Sequence, residues 1–135
     1  MRIVIPGAPV PQLRMKSSNR NGFSRHYDPK AKEKTQIRHF ISSTYPVAEE
    51  LDYPRVSFVF HMPIPQSIPK RLIPLYYSGL LKHTKKPDTD NLIKLYLDCM
   101  DGLVLHKDSK VSLGFSVKVY HPYPKTIVWI HKTNQ

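Results

Sequence analysis

Four stretches of the chain have the pattern of β-strands: two alternate between apolar and polar residues, and two are short, mainly apolar runs. They cover residues 2–5, 56–62, 111–119 and 126–131. Pro122-Tyr123-Pro124 separates the last two stretches and indicates a turn between neighbouring strands. The pattern therefore predicts four strands, of which the last two form an antiparallel hairpin.

Apolar residues at helical spacing predict two helices. The dipeptide Asp28-Pro29 suits the N-cap and the first position of a helix over about residues 29–45. A second helix is expected to begin with Asp90 as its N-cap and to be apolar nearly all round, with Gly102 at the left-handed position that ends many helices. We expect this second helix in the core or at a subunit interface.

The remaining stretches are rich in proline. Residues 6–21 are also basic, and we expect a surface loop there. Residues 63–87 contain five prolines and a short helix near residues 70–77, and so long a connection is uncommon unless it is functional. Because length and apolar content suit one core, we expect a single domain over residues 1–135.

The balance of charge indicates what kind of molecule this protein binds. The chain has 21 Lys and Arg against 10 Asp and Glu, a formal net charge of +11. A long-range positive field of this size suits phosphate backbones, so nucleic acid is the leading partner. The alternative is a charge that only aids solubility, and charge alone names no reaction.

Acids are concentrated at one place in this basic chain, in the run Lys86-Pro87-Asp88-Thr89-Asp90, and a further acid follows at Asp108. Asp88 and Asp90 lie two apart in what we expect to be an extended segment before the helix, so both carboxylates can reach one hard cation. Asp108 would join them from a loop. Mg²⁺ accepts such a sparse set of acids because it keeps several waters and takes phosphate oxygens.

A purely structural interpretation competes with this one. In it, Asp90 only caps the helix, and Asp88 and Asp108 lie in polar turns. Asp90, Lys94 and Asp98 follow one another at i, i+4 spacing and share one helix face, so Lys94 would pair with Asp98. The residues alone leave both interpretations open.

The order of these motifs resembles that of a known family. Lys-Pro-Asp-x-Asp-Asn-Leu-x-Lys at 86–94 is followed by Asp98, by Gly102 and by Asp-Ser-Lys-Val at 108–111. This combination resembles the RusA-type Holliday-junction resolvases, Mg²⁺-dependent endodeoxyribonucleases common in prophages. The resemblance covers most of the chain and includes the Pro-rich start with Arg14 and Lys16, Tyr27-Asp28-Pro29, His61-Met62-Pro63 and the closing strands.

The resemblance implies a role for each matching residue. Asp88, Asp90 and Asp108 match the acids that bind metal in the family, and Lys94 matches its catalytic lysine. Asn91 and Asp98 also match motif positions. We expect structural roles for both, with Asn91 at the start of the helix and Asp98 as a partner of Lys94.

One position departs from the family pattern. Lys107 stands where the family often has an acid before the retained ligand Asp108. We expect activity to survive, with Lys107 altering metal affinity or phosphate positioning. His106 is a candidate base, but a bound metal can itself supply hydroxide, so an incidental histidine is the favoured interpretation.

The resemblance further implies a small α+β domain with a mixed β-sheet packed against helices, acting as a homodimer on branched DNA. The implied reaction is paired phosphodiester hydrolysis in four-way junctions during DNA recombination and repair. Mg²⁺ is the expected cofactor, and Mn²⁺ is a candidate substitute. The expected DNA contacts are Arg14, Lys16, Arg20, Arg25, Lys82, Lys85 and Lys86.

Two other functions stay open at this point. One is a basic nucleic-acid-binding protein without catalysis, and the other is a Mg²⁺ nuclease for flaps and other branched DNA. Metal binding separates the first from either enzyme, and cleavage of a substrate panel separates the two enzymes.

The sequence also predicts a location and the state of its one cysteine. No apolar run approaches the roughly 20 residues that span a bilayer. The apolar run at the N-terminus is too short for a signal peptide, because a proline interrupts it at residue 6. We therefore expect a cytoplasmic protein without a membrane partner. Cys99 lies in the apolar helix and is expected to be a small buried hydrophobic residue without chemistry.

Overall fold

A four-stranded mixed sheet and the two longer helices form the body of the molecule in the computed structural model. The structure describes residues 1–20, 22–45, 53–81, 86–105 and 111–131. The strands are β1 (Arg2–Pro6), β2 (Lys16–Arg20), β3 (Phe23–Tyr27), β4 (Arg55–Met62), β5 (Ser112–Tyr120) and β6 (Lys125–His131). The helices are α1 (Ala31–Thr44), α2 (Ile73–Tyr77) and α3 (Thr89–Met100). The expected α+β class is confirmed.

The main sheet has the strand order β1-β6-β4-β5. β6 runs antiparallel to both of its neighbours, whereas β5 runs parallel to β4. The predicted hairpin of β5 and β6 is therefore wrong, because β4 lies between them. Alternation along a strand tells which face a side chain takes but not which strand lies beside it. Residues 121–124 instead cross the end of β4, where the His121 N–H donates to the Met62 carbonyl.

The core lies between α1, α3 and one face of this sheet. Val56, Phe58 and Phe60 of β4 are fully buried, as their alternation predicted. Ile37 and Ile41 of α1 cover this face from above, together with the buried side chains of α3. The apolar members of α3 in this core are Leu92, Leu95, Tyr96, Cys99 and Met100. The expected burial of Cys99 is confirmed, and this burial raises the pKa of its thiol to about 11.

The alternation of β5 misleads about its faces. Phe115 is 57% exposed and Val117 and Val119 are 37% and 36% exposed, although these are the apolar positions. β5 is an edge strand, and its register with β4 shifts between Val56 and Phe58. Gly114 lies at that shift, and a Cβ there would collide with Oγ of Ser57. The glycine therefore allows the two strands to approach.

Both longer helices start at positions other than those predicted. The Asp28 carboxylate accepts a hydrogen bond from the Lys30 N–H, and α1 begins at Ala31, so Asp28 stands before the helix rather than at its N-cap. α3 begins at Thr89 with Asp88 as its N-cap, and the predicted N-cap Asp90 is inside the first turn. Gly102 follows α3 with φ +74°, as predicted.

The expected loop over residues 6–21 contains a strand. β2 pairs antiparallel with β3 in a separate two-stranded sheet, from Lys16 opposite Tyr27 to Arg20 opposite Phe23. Polar residues occupy both faces of this hairpin, so apolar alternation could not reveal it. The signal that does is Asn21-Gly22, because this dipeptide favours two-residue hairpin turns, and Gly22 has φ +77°.

Candidate functional site

The acidic motif surrounds the first turn of α3. Asp88 is extended, with φ −68° and ψ 146°, and its carbonyl accepts the Leu92 N–H at 3.3 Å. Its carboxylate makes no hydrogen bond to the helix start, although an aspartate at an N-cap usually makes one. Asp90 lies in the helical first turn, so the two acids do not share an extended segment as expected.

Asp88 and Asp90 are both exposed, and within the described residues neither carboxylate has a hydrogen-bond or ion-pair partner. Two exposed carboxylates separated by one residue at a helix start are therefore available to a ligand. Lys94 follows Asp90 by one helical turn on the same face and is also exposed. The structure thus places Asp88 and Asp90 at the start of α3 and Lys94 one turn beyond Asp90 on the same helix face.

The expected pairing of Lys94 with Asp98 is wrong. The Asp98 carboxylate accepts instead from Lys34 of α1, with 3.1 Å between Nζ and Oδ2. Lys34 also donates to Asp28 at 2.7 Å, so one ammonium joins two acids. The bond from Lys34 contributes most to holding the pKa of Asp28 at about 2, with further bonds from the Lys30 N–H and the Gln12 amide. Burial opposes the charge of Lys34, but Asp28 and Asp98 outweigh it and raise its pKa.

A second cation of α1, Arg38, bonds to the backbone at the C-terminal end of α3. Arg38 donates from Nη1 to the carbonyl oxygens of Asp98, Cys99 and Asp101 at 3.0–3.2 Å. These carbonyls lack helical partners because they lie in or beside the last turn. Lys34 and Arg38 therefore hold α1 against α3, so part of the N-terminal positive charge has a structural use that charge counting could not show.

The Pro-rich segment after β1 lies over the start of α3. The Gln12 N–H donates to the Asn91 carbonyl at 2.9 Å, and the Val10 N–H donates to the Tyr96 hydroxyl at 3.1 Å. The Gln12 side chain donates to Asp28 at 3.0 Å. Gln12 precedes the β2–β3 hairpin and Asp28 follows it, so the bonds of Gln12 connect both ends of the hairpin to the first turn of α3. Nothing in the sequence pattern distinguished Gln12.

The β2–β3 hairpin carries much of the exposed charge beside this site. Lys16, Arg25 and Tyr27 lie on one face by their register, and all three are exposed. Arg14, just before β2, is exposed as well. Lys86 is exposed next to Pro87. Four of the expected DNA contacts therefore lie on surfaces that a polyanion can reach.

The other expected site residues have side chains outside the described part of the structure. Arg20 is the last residue of β2, and its side chain is not among those described. Lys82, Lys85, His106, Lys107 and Asp108 lie outside the described residues. Their roles stay predictions, including the role of Asp108 as the third acid.

Lys118 of β5 is a site neighbour that the sequence did not indicate. Its Nζ donates to the Pro87 carbonyl at 2.8 Å, one peptide unit before Asp88. Lys118 is opposite Phe60 and therefore faces the helices, where it is half-buried. Alternation placed it on the polar face of β5, which indicated a solvent-exposed lysine.

The donor set fits a hard cation such as Mg²⁺. In the described part of the chain, no three acids, histidines or cysteines are gathered at metal-binding spacing, so Asp88 and Asp90 stand alone there. Mg²⁺ is commonly held by one or two carboxylates plus water and substrate phosphate. The uncommitted carboxylates of Asp88 and Asp90 are ligands of the type that such a site uses.

Two comparisons with known proteins bear on the family of this chain. The model of the family Endodeoxyribonuclease RusA matches residues 6–131. The uncharacterized protein YqaN of Bacillus subtilis (strain 168) is 29% identical over 138 residues, covering 99% of this chain and 97% of its own length. Among the described residues, no helix has both the length and the apolar composition needed to cross a membrane. Because the family match extends over nearly the whole chain, including α3 and the strands β4, β5 and β6, this chain belongs to the RusA endodeoxyribonuclease family.

Proposed function

We propose that this protein is a Mg²⁺-dependent endonuclease that resolves four-way DNA junctions by cutting opposing strands. The observation that carries the proposal is the pair of uncommitted carboxylates, Asp88 and Asp90, at the start of α3 in a RusA family member, with the exposed Lys94 one helical turn beyond Asp90. A structural helix start would use Asp88 as a cap, and a pure DNA-binding surface would gain nothing from two exposed acids facing phosphates.

The chain's own residues divide the chemistry between them. Asp88, Asp90 and Asp108 would hold Mg²⁺, which when bound polarises a phosphate oxygen and lowers the pKa of its bound water. Lys94 would stabilise negative charge that develops on the scissile phosphate. The pairing of Asp98 with Lys34 supports this role, because it leaves Lys94 without an acid partner among the described residues. Mn²⁺ is a candidate substitute because it takes the same oxygen ligands.

The DNA path runs from the β2–β3 hairpin to the start of α3. Arg14, Lys16 and Arg25 would contact phosphates, since all three are exposed and Gln12 fixes the base of their hairpin to Asn91 beside the acids. Lys86 continues this path on the other side of Asp88. Arg20, Lys82 and Lys85 are further candidates. Such contacts are independent of base sequence and weaken with added salt.

A second copy of the chain would supply the second cut. A junction is resolved by two incisions on opposing strands, and a two-fold dimer presents two equivalent sites. The exposed apolar side chains of β5, including Phe115 and Val117, lie on a sheet edge and suit a copy of the same edge rather than phosphates. Phe115→Lys would make the protein monomeric in sedimentation and abolish paired cutting, whereas Tyr123→Lys, on an exposed residue outside β5, would leave both unchanged.

The decisive experiment is cleavage of a synthetic mobile four-way junction beside linear duplex and flap controls, with Mg²⁺, Mn²⁺ or EDTA. We expect paired nicks on opposing strands that require the divalent metal. Junction binding without cleavage under any metal would favour a nucleic-acid-binding protein without catalysis. Cutting of flaps alone would favour a nuclease of broader branched DNA. The expected cytoplasmic location is part of this proposal and is checked by cell fractionation.

A further inference from the structure

Lys118 reaches from the sheet to the backbone that leads into the acidic motif. Its Nζ lies 2.8 Å from the carbonyl oxygen of Pro87, and this carbonyl belongs to the peptide that joins Pro87 to Asp88. We propose that Lys118 is a positioning residue that fixes the Asp88 backbone for metal binding. The inference rests on the proposed function, because it concerns the same site.

The placement of Lys118 is not explained by packing. It lies opposite Phe60 on the face of β5 that looks toward the helices, between Ser116 and Tyr120. A half-buried ammonium loses hydration, which costs free energy unless the charge finds hydrogen-bond partners. The Pro87 carbonyl is such a partner, and a charged donor makes this bond stronger than one between neutral groups. An apolar residue of similar length would fill the space without that cost.

The bond acts on a segment with few other internal constraints. Pro87 has no N–H to donate, and the Asp88 side chain is not tied to the helix start. The described bonds of this segment are the one from Lys118 to Pro87 and the helical bond from Leu92 to the Asp88 carbonyl. Together they hold the peptide before Asp88 and the carbonyl after it. Lys118 therefore ties the orientation of Asp88 to the sheet, whereas Asp90 lies inside the first turn of α3.

This arrangement predicts an effect on metal affinity that is distinct from an effect on DNA binding. Lys118 does not need to touch metal or DNA to act, because it holds the backbone of a ligand. Loss of a group that orients metal ligands commonly costs about 10- to 100-fold in metal affinity or activity. A phosphate-contacting lysine would instead weaken junction binding and leave metal affinity unchanged.

The test compares Lys118→Met with Lys118→Arg, and with Lys32→Met as a matched loss of one charge from the exposed surface of α1. Mn²⁺ binding is measured by paramagnetic resonance without DNA, Mg²⁺ dependence by cleavage, and junction affinity in EDTA. We expect Lys118→Met to weaken Mn²⁺ binding and to raise the half-saturating Mg²⁺ concentration, each by about 10-fold, with junction affinity equal to that of Lys32→Met. Lys118→Arg should restore most of the metal affinity.

Unchanged Mn²⁺ binding in a folded Lys118→Met variant would overturn the proposal, as would a loss confined to junction affinity. If circular dichroism shows that Lys118→Met does not fold, Lys118→Gln replaces it as a polar side chain of similar length, read by the same two outcomes. A wild type that binds Mn²⁺ but cuts no DNA would contradict the proposed nuclease and leave the Mn²⁺ comparison valid. A wild type that binds no Mn²⁺ would overturn both.

Discussion

Lys34 of α1 forms an ion pair with Asp98 of α3, with 3.1 Å between Nζ and Oδ2. Asp98 shares its helix face with Asp90 and Lys94, so three charged residues line one side of α3. The pair with Lys34 assigns the last of them to the contact between helices. Asp90 and Lys94, nearer the start of α3, form no ion pair among the described residues.

The two acids of this stripe therefore predict opposite outcomes for the same chemical change. Asp90→Asn should lower junction cleavage by at least about 100-fold, because an amide is a poor ligand for Mg²⁺, while junction binding stays equal or becomes stronger. Asp98→Asn, two turns further along, should retain cleavage within about threefold and lose only part of its bond to Lys34. Single-turnover cleavage and binding in EDTA measure both. Equal activities of the two variants would refute the ligand role of Asp90.

Arg14 predicts a change in salt dependence rather than in chemistry. Arg14→Ala should weaken junction binding and lower the slope of log affinity against log salt by about 1, because one phosphate contact is lost. The cleavage rate of saturated complexes should stay unchanged. The control is Arg2→Ala, which removes one exposed positive charge from β1. Arg38→Ala would be unsuitable, because Arg38 bonds to the last carbonyls of α3. A slope equal to that of wild type would exclude Arg14 from the DNA path.

Asp28 predicts how stability depends on acid. Its pKa is about 2 in the folded protein against 3.8 for an ordinary aspartate, so its contribution is complete above about pH 5 and is lost as the pH falls through 3.8 toward 2. Asp28→Asn should lower the free energy of unfolding by roughly 2 kcal/mol at pH 6, and the difference from wild type should close near pH 2. Urea unfolding across this pH range measures it. Asp101→Asn, on an exposed acid with no described ion pair, should show no such convergence.

Gly114 predicts a steric effect between two neighbouring strands. Gly114→Ala should destabilise the fold by about 1–3 kcal/mol, because its Cβ would meet Oγ of Ser57 and force β5 away from β4. Ser57→Ala removes that oxygen, so the double variant should regain part of the loss. Thermal unfolding of the four proteins in this cycle gives the coupling. Additive effects of the two substitutions would show that the oxygen is not what excludes a side chain at Gly114.

The four strands of the main sheet and the two longer helices could be predicted because their signals are local. Val56, Phe58 and Phe60 alternate toward one core, and Gly102 ends α3 in the left-handed conformation that its sequence position indicated. The starts of α1 and α3 could not be placed so closely, because Asp28 and Asp88 both suit a helix start and tertiary contacts decide how each is used. Asp28 bonds to Lys34 and Gln12, whereas Asp88 makes no cap bond.

The sequence by itself determined the class of the fold, the family and the acidic motif, because these depend on residue type and spacing along the chain. Only the tertiary structure decided that β4 separates β5 from β6 and that Asp98 pairs with Lys34 rather than with Lys94. It also decided that Lys118 faces the helices and donates a hydrogen bond to the Pro87 carbonyl. Lys34 and Asp98 are 64 positions apart in the sequence, and Lys118 and Pro87 are 31 positions apart. Periodicity and local spacing carry no information about such partners, because packing of the sheet against the helices selects them.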